Sequence, residues 1–326
     1  MMEKNNANNS NFVVSFKGVL KSNLSILVAF GLIFILSTIA SPRFCTSRNL
    51  IAVLRTAAPN ALCVFSMALI IMTGGIDLSV GSFMSLCGCL TTVLITRVGW
   101  SVGISIVVSL ILGAVYGSVN GLIITKIKMQ PFVVTLAGLN ILRGTSYLIT
   151  GGKPVILADD RFQPFGGGFW LGIPRPVYYV LVLFILFWFF LNRTRFGRHI
   201  YAIGGNITAA KYSGINTDWV VIRVYILSGF MSALAGIILS SRLNSGQPTI
   251  GDGAELDAIA SCVVGGVSMS GGSGTMFGAL LGALSIAIIG NILNLIGLNS
   301  FAQLVVKGII ILVAVYVDAL RKSKKK

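Results

Sequence analysis

Among the charged side chains in or beside long apolar stretches of this chain, six could do chemistry. Arg143 and Lys307 lie inside such stretches, Asp77 in the short gap between two of them, and Asp252, Glu255 and Asp257 at the outer entrance to another. A charge surrounded by hydrocarbon is so costly that such groups face protein or water, which makes them candidates for a relay, an ion pair or a polar path. Asp77 sits in the glycine-rich break Gly74-Gly75-Ile76-Asp77-Leu78-Ser79. As a structural group it would cap a helix beginning near Ser79 by accepting backbone N–H bonds. One carboxylate makes no proton-relay chain, and pairing with Arg143 would keep Asp77 from being an isolated charge. Gly271-Gly272-Ser273-Gly274 has the form of an intramembrane serine nucleophile, but that chemistry needs a histidine base on a nearby span. The sole histidine, His199, lies in a basic loop. The phosphate-cradling GxxxxGK[ST] pattern is missing. Ala58-Pro59-Asn60-Ala61 is not a water-channel signature, and no potassium filter occurs. The cysteines (Cys45, Cys63, Cys87, Cys89, Cys262) are scattered and form no metal or disulfide framework. The sequence therefore offers no catalytic residue and no metal site, and the chain is expected to bind no cofactor of its own.

The elements that would carry these groups follow from composition. The 326 residues are 55% hydrophobic and only 10% charged, with a formal charge of +16. Soluble domains are about 25% charged, so a soluble enzyme and a disordered chain are excluded. The basic residues fall between apolar runs and at the ends, as positive-inside signals do, rather than as a nucleic-acid-binding stripe. No nucleic-acid partner is expected. Apolar runs at 24–40, 51–73, 78–96, 102–125, 132–150, 177–191, 219–240, 258–264, 275–295 and 301–317 predict an all-α polytopic membrane protein with about ten transmembrane segments, some broken or re-entrant. Residues 1–23 read as a polar N-terminal segment, 24–319 as one transmembrane domain, and 320–326 as a basic tail.

Lys126, Lys128, the long 192–218 segment with Arg193, Arg195, Arg198 and Lys211, and the tail all belong on the cytoplasmic side by the positive-inside rule. An even number of crossings places both termini there. Arg43, Arg48, Arg55 and Arg97 then fall outside and run against the rule. An internal repeat is visible: residues 74–82 match 265–273, with Gly74, Gly75, Ser79, Gly81 and Ser82 identical to their counterparts. Ten crossings make the copies parallel. If 258–264 does not cross they become inverted, and the tail moves outside. Each copy looks like a helix break of the kind found in transporters. Glycines recur at every fourth residue in Gly113, Gly117, Gly121 and again in Gly274, Gly278, Gly282. On a helix each set lines one face for close backbone packing, within the subunit or at a dimer seam.

Within 192–218, the residues around Ala209 and Ala210 can form a short helix, with Asn206 or Thr208 as cap and Gly214 as stop. It reads as a connecting loop or as a docking helix for a cytoplasmic partner.

Four motifs carry a resemblance to a known family. They are Thr73-Gly74-Gly75-Ile76-Asp77-Leu78-Ser79-Val80-Gly81-Ser82; Gly204-Gly205-Asn206-x-x-Ala209-Ala210-x-x-Ser213-Gly214-Ile215; Gln247-Pro248-x-x-Gly251-x-Gly253-x-Glu255-Leu256-Asp257-Ala258-Ile259-Ala260; and Val264-Gly265-Gly266-Val267-Ser268-x-x-Gly271-Gly272-x-Gly274. Together they resemble the permease subunits of bacterial carbohydrate-uptake ABC importers of the ribose-type branch, over about residues 25–320. The resemblance implies a non-catalytic transport subunit of the bacterial inner membrane that moves a pentose or hexose by alternating access. Its implied partners are a cytoplasmic ATP-binding subunit, an extracytoplasmic sugar-binding protein and a second permease subunit, expected to be an identical copy. It makes Asn206, Thr208, Ala209, Ala210 and Gly214 the coupling segment. Thr208 stands where the broader family has a glutamate. Small and polar candidates for the path are Asp77, Ser79, Ser82, Ser85, Asn120, Asn140, Asn291 and Asn294, any of which could instead serve helix packing. The competing expectation is a stand-alone, ion- or proton-coupled sugar transporter, which would depend on a mid-bilayer carboxylate and need no ATPase dock.

Overall fold

The computed structural model describes residues 23–157 and 160–323. The expected N-terminal segment, apart from Asn23, and the end of the tail lie outside the described residues. The chain forms α1 (Leu24–Ala40), α2 (Ser47–Met72), α3 (Val80–Thr96), α4 (Val102–Lys126) and α5 (Pro131–Thr150). A loop region follows, with β1 (Val155–Ile156), α6 (Gln163–Gly167), β2 (Phe169–Trp170) and β3 (Ile173–Pro174). Then come α7 (Arg175–Arg193), α8 (Arg195–Gly205), α9 (Ile207–Tyr212), α10 (Thr217–Leu243), β4 (Ser245–Gly246), α11 (Ala254–Val264), α12 (Met276–Leu295) and α13 (Ser300–Ser323). Six of these helices are long and apolar enough to cross a membrane, and α1, α3 and the first part of α13 are shorter apolar helices. The protein is an all-α, multi-pass membrane protein.

Local sequence sets the helix ends. Thr46, Ser101, Asn216 and Thr275 each turn a side-chain oxygen toward a backbone N–H in the first turn, satisfying donors that have no intrahelical partner. Pro131 starts α5, and Gly151 ends it in the left-handed conformation at φ 70°.

Contacts between distant ends sort the loops onto two faces. Lys126 pairs with Asp218 at 3.0 Å, Thr275 bonds Asn23 at 2.7 Å, and the Gly272 N–H meets the Met72 carbonyl at 2.9 Å. This basic face also carries α8 and α9. On the opposite face Asn49 and Asn291 exchange two hydrogen bonds of 2.9 Å, Arg97 bonds the Ile149 carbonyl, and β1 pairs with β4. Chain direction then gives ten crossings among the described residues.

Two of the ten are broken, and in opposite senses. After α2 reaches the basic face, residues 73–79 rise without helix and α3 completes the crossing. After α10 reaches the opposite face, residues 244–253 descend without helix and α11 completes the return. The third run thus becomes helical only at Val80, and the short eighth run crosses because the non-helical chain before it supplies the other half. Gly81 and Gly251 meet where the two breaks cross; a Cβ on either would collide with the other's carbonyl oxygen. From there α3 runs about 23 Å to the opposite face, and α11 with its preceding turn about 18 Å to the basic face, at roughly 1.5 Å per residue. Together these match the full bilayer of about 40 Å with its headgroup layers.

The core is the second half of α2, buried from Ala61 through Met72, with α3 and α10 around it. The helices α4, α5 and α7 lie outside and expose aliphatic faces, for example Ile104, Val107, Ile111 and Ile185. The repeat copies are parallel: each follows a descending helix and precedes an ascending one. Their conformations differ, since 74–82 leads into α3, whereas 265–273 forms a tight loop closed by Ser268 N–H to the Ser273 carbonyl.

Candidate functional site

The first break is held by hydroxyls. Asp77 is fully buried. One carboxylate oxygen accepts from the Ser79 N–H at 2.9 Å and the Ser79 hydroxyl at 2.6 Å, and the other from Ser228 on α10 at 2.9 Å. The Ile76 carbonyl, left free where the helix stops, accepts from Tyr225 and Thr135 at 3.3 Å each. Asp77 therefore closes a turn onto Ser79, the residue that opens α3. The expected pairing of Asp77 with Arg143 does not occur. Arg143 is committed elsewhere, because the second break presents unpaired carbonyls that a guanidinium can satisfy.

In that break Arg143 donates to the carbonyls of Pro248 at 2.6 Å and Ile250 at 2.9 Å, and its other nitrogen pairs with Asp252 at 2.9 Å. Ser85 of α3 also donates to Pro248 at 2.8 Å. Non-helical backbone at membrane depth has to find such partners. One side chain from α5 and one from α3 thus hold the descending strand of chain. Further along, Lys307 of α13 pairs with Asp257 at 2.8 Å. Both line a cavity of about 240 Å³ with Asn60, Asn291, Asn294 and Gln303.

The candidate path residues do not converge. Asp77 and Ser79 are buried in the first break, Ser82 in the first turn of α3 and Asn120 on α4, whereas Asn291 and Asn294 line the cavity beside α13. Asn140 is exposed on α5 and bonds its own helix at Leu136. The glycine stripe of α4 packs within the chain: Gly113 meets Gly229, and Gly117 and Gly121 meet the α10 backbone at Tyr225 and Ile222. Gly278 and Gly282 likewise meet Gly265 and Ser261 beside α11. Gly274 does not extend that stripe. It precedes the Thr275 cap, outside the helix, with φ 149°.

On the basic face α9 is capped by Asn206, whose side chain accepts from the Ala209 N–H at 3.0 Å. Gly214, at φ 80°, lets the chain turn back after it, and the Ile215 N–H returns to the Ala210 carbonyl. Asn206, Thr208, Ala209 and Gly214 are exposed, and only Ala210 is buried. Between α9 and the first break lies a cavity of about 440 Å³, lined by Ile207, Lys211, Thr73, Gly74, Gly75 and Tyr225 among others. The short helix and the broken span therefore face each other across open space.

Residues 49–315 match the sequence profile described as the permease component of branched-chain amino acid transport systems. The chain belongs to this permease family. The ribose import permease protein RbsC of Bacillus subtilis is 48% identical over 307 residues, covering 94% of this chain and 95% of that protein. RbsC of Escherichia coli K12 is 43% identical, covering 93% and 95%. The L-arabinose transport system permease protein AraH of the same strain is 39% identical, covering 92% and 91%. No solved structure matches.

Several contacts in the permease were not signalled by the motifs. Arg97 binds the last carbonyls of α5, Arg55 the Gly167 carbonyl and Arg242 the Arg55 carbonyl. Two of the arginines that oppose the positive-inside rule are therefore spent on helix ends and loops. Tyr225, Ser228 and Thr135 around the first break come from helices distant in sequence, and nothing in their local pattern marks them.

Proposed function

We propose that this chain is the membrane-spanning subunit of an ATP-driven importer that carries a monosaccharide, a pentose or hexose such as ribose, into the bacterial cytoplasm. The basic face is cytoplasmic, both termini lie there, and the membrane is the inner one. A separate ATP-binding subunit docks on α9. A sugar-binding protein delivers solute to the opposite face, and a second identical subunit completes the path. One observation carries this reading: α9 is an exposed, capped helical turn on the basic face, set across a cavity from a broken span. A push on α9 is carried by the adjoining end of α8, where Gly204 packs on the Met72 carbonyl at the foot of the first break, and a broken span is the element that can rearrange without unfolding a continuous helix. Hydrolysis remains on the partner chain, and α9 transmits its movement.

The test is uptake of a panel of labelled pentoses and hexoses by cells carrying this chain with its ATP-binding and sugar-binding partners. Uptake of at least one sugar that disappears when the ATP-binding subunit is inactivated is the expected result. Uptake that persists without that subunit would refute the proposal.

A further inference from the structure

The crossing of Gly81 with Gly251 lies near the middle of the bilayer, by the helix lengths given above. Asp252 follows directly, and its side chain is 73% exposed. A carboxylate at this depth cannot face acyl chains at a tolerable cost, so the surface around it meets water or protein. That surface has its own character. Asn140 and Gly144 of α5 are exposed on it, and Leu256, one turn along α11, is 49% exposed. Just inside, Glu255 holds a buried carboxylate oxygen with no hydrogen-bond partner. The outer faces of α4 and α7 show aliphatic side chains instead. On α5 the exposed Leu136 and Ile141 stand beside Asn140, so Asp252 and Asn140 form a polar island at mid-depth between aliphatic faces.

Arg143 is only 15% exposed, and its nitrogens are taken by two carbonyls and one oxygen of Asp252. It fixes that carboxylate at one oxygen, while the Asp252 side chain as a whole stays open to the surface. We propose that Asp252, positioned by Arg143, is a mid-membrane station on the solute path, where an uncharged polyhydroxylated solute donates a hydroxyl hydrogen bond to the carboxylate. Asp252 touches the solute, and Arg143 acts through Asp252. This rests on reading the chain as a sugar-importer permease. The station lets a sugar exchange its water shell for one strong acceptor half-way across, and the open geometry keeps the contact weak enough to release.

The experiment uses the complete importer in proteoliposomes, with Cys45→Ser in the permease, since the other four cysteines are buried. Leu256→Cys probes the proposed wet surface without touching the ion pair, and Ile185→Cys, at a 61% exposed position on α7, probes lipid. A small cationic methanethiosulfonate is added on both sides, with and without ATP. Leu256→Cys is expected to react at least about tenfold faster than Ile185→Cys in one of the two conditions, because thiolate chemistry needs water. Equal rates in both would overturn the proposal. Asp252→Asn is expected to lower sugar uptake about tenfold, the loss of one charge-assisted hydrogen bond, with nucleotide hydrolysis retained. Unchanged uptake would remove the solute contact. Labelling needs no sugar. An importer that carries none of the sugars tested would sink the proposed function alone, while the labelling rates still decide whether this surface is wet.

Discussion

Asp77 separates a structural carboxylate from a coupling one. Asp77→Ala removes the acceptor of three hydrogen bonds and leaves the Ser79 and Ser228 hydroxyls and the Ser79 N–H facing a cavity. Each orphaned buried donor costs about 1–3 kcal/mol. Alternative partners in a membrane-embedded unfolded state reduce that toward roughly 0.6 kcal/mol apiece. The expected loss is therefore about 2–5 kcal/mol. Asp77→Asn keeps the shape, and its amide oxygen can still accept from Ser79. The amide nitrogen faces Ser228, whose hydroxyl can rotate to accept, so about 1 kcal/mol or less is expected from the difference between charged and neutral hydrogen bonds. Thermal unfolding of the purified permease and sugar uptake by the assembled importer read the two variants. Asp77→Ala should be strongly destabilised, whereas Asp77→Asn should unfold near the wild type and retain uptake within about threefold, under 1 kcal/mol. An Asp77→Asn protein that unfolds like the wild type yet carries no sugar would refute the reasoning. Its charge would then be part of the transport cycle, as a proton-coupled carrier requires.

Three further outcomes are expected. Gly117→Ala drives a methyl group into the Tyr225 carbonyl and the Ile226 backbone and should lower unfolding stability by about 1–3 kcal/mol, while Gly103→Ala, which meets nothing, should not. Asn206→Ala removes the α9 cap, costing about 1 kcal/mol locally; uptake should fall more than global stability, measured as uptake per molecule of ATP hydrolysed beside the melting temperature. Lys126→Ala and Asp218→Ala break an ion pair whose lysine side chain is 61% exposed, and each should shift stability by less than about 1 kcal/mol in the same unfolding assay.

The crossings were legible because apolar runs report them directly. Helix ends were legible where a capping residue or proline stood at the boundary, as at Thr275 and Pro131. The role of Asp77 in a turn opening α3 was readable because Ser79 is two residues away. The partner of Arg143 was not: Asp252 becomes its neighbour only because residues 244–253 descend through the short β4 and a run of hydrogen-bonded turns, and no periodicity marks such a segment. Gly274 continued a four-residue spacing, but Thr275 outranks it, since a hydroxyl that can accept from the Gly278 N–H fixes where the helix begins. The α4 glycines show the same limit from the other side. Their spacing announced a close approach, while the approaching surface, the α10 backbone from Ile222 to Gly229, carries no matching stripe except Gly229.

The two breaks are one device. A span that is non-helical in its basic-face half crosses one that is non-helical in its opposite-face half, and the crossing point is glycine on glycine. Neither half-helix has helical chain continuing beyond the crossing, so each can tilt about that point without breaking backbone hydrogen bonds. The fixtures differ: the lower strand is held by Asp77, Tyr225 and Thr135 to α10 and α5, and the upper one by Arg143 and Ser85 to α5 and α3. Helix α5 contributes to both, through Thr135 near the basic face and Arg143 near mid-depth. On the proposed coupling, displacement at α9 would reach residues 73–79 first, through the packing of Gly204 at the end of α8 on the Met72 carbonyl and on Gly271 and Gly272. It would then reach α5 through Thr135, and so reset Arg143 and the descending strand it holds. On the proposed function, a rigid helix spanned between two breaks of opposite sense would let one movement at α9 close one half of the path as it opens the other.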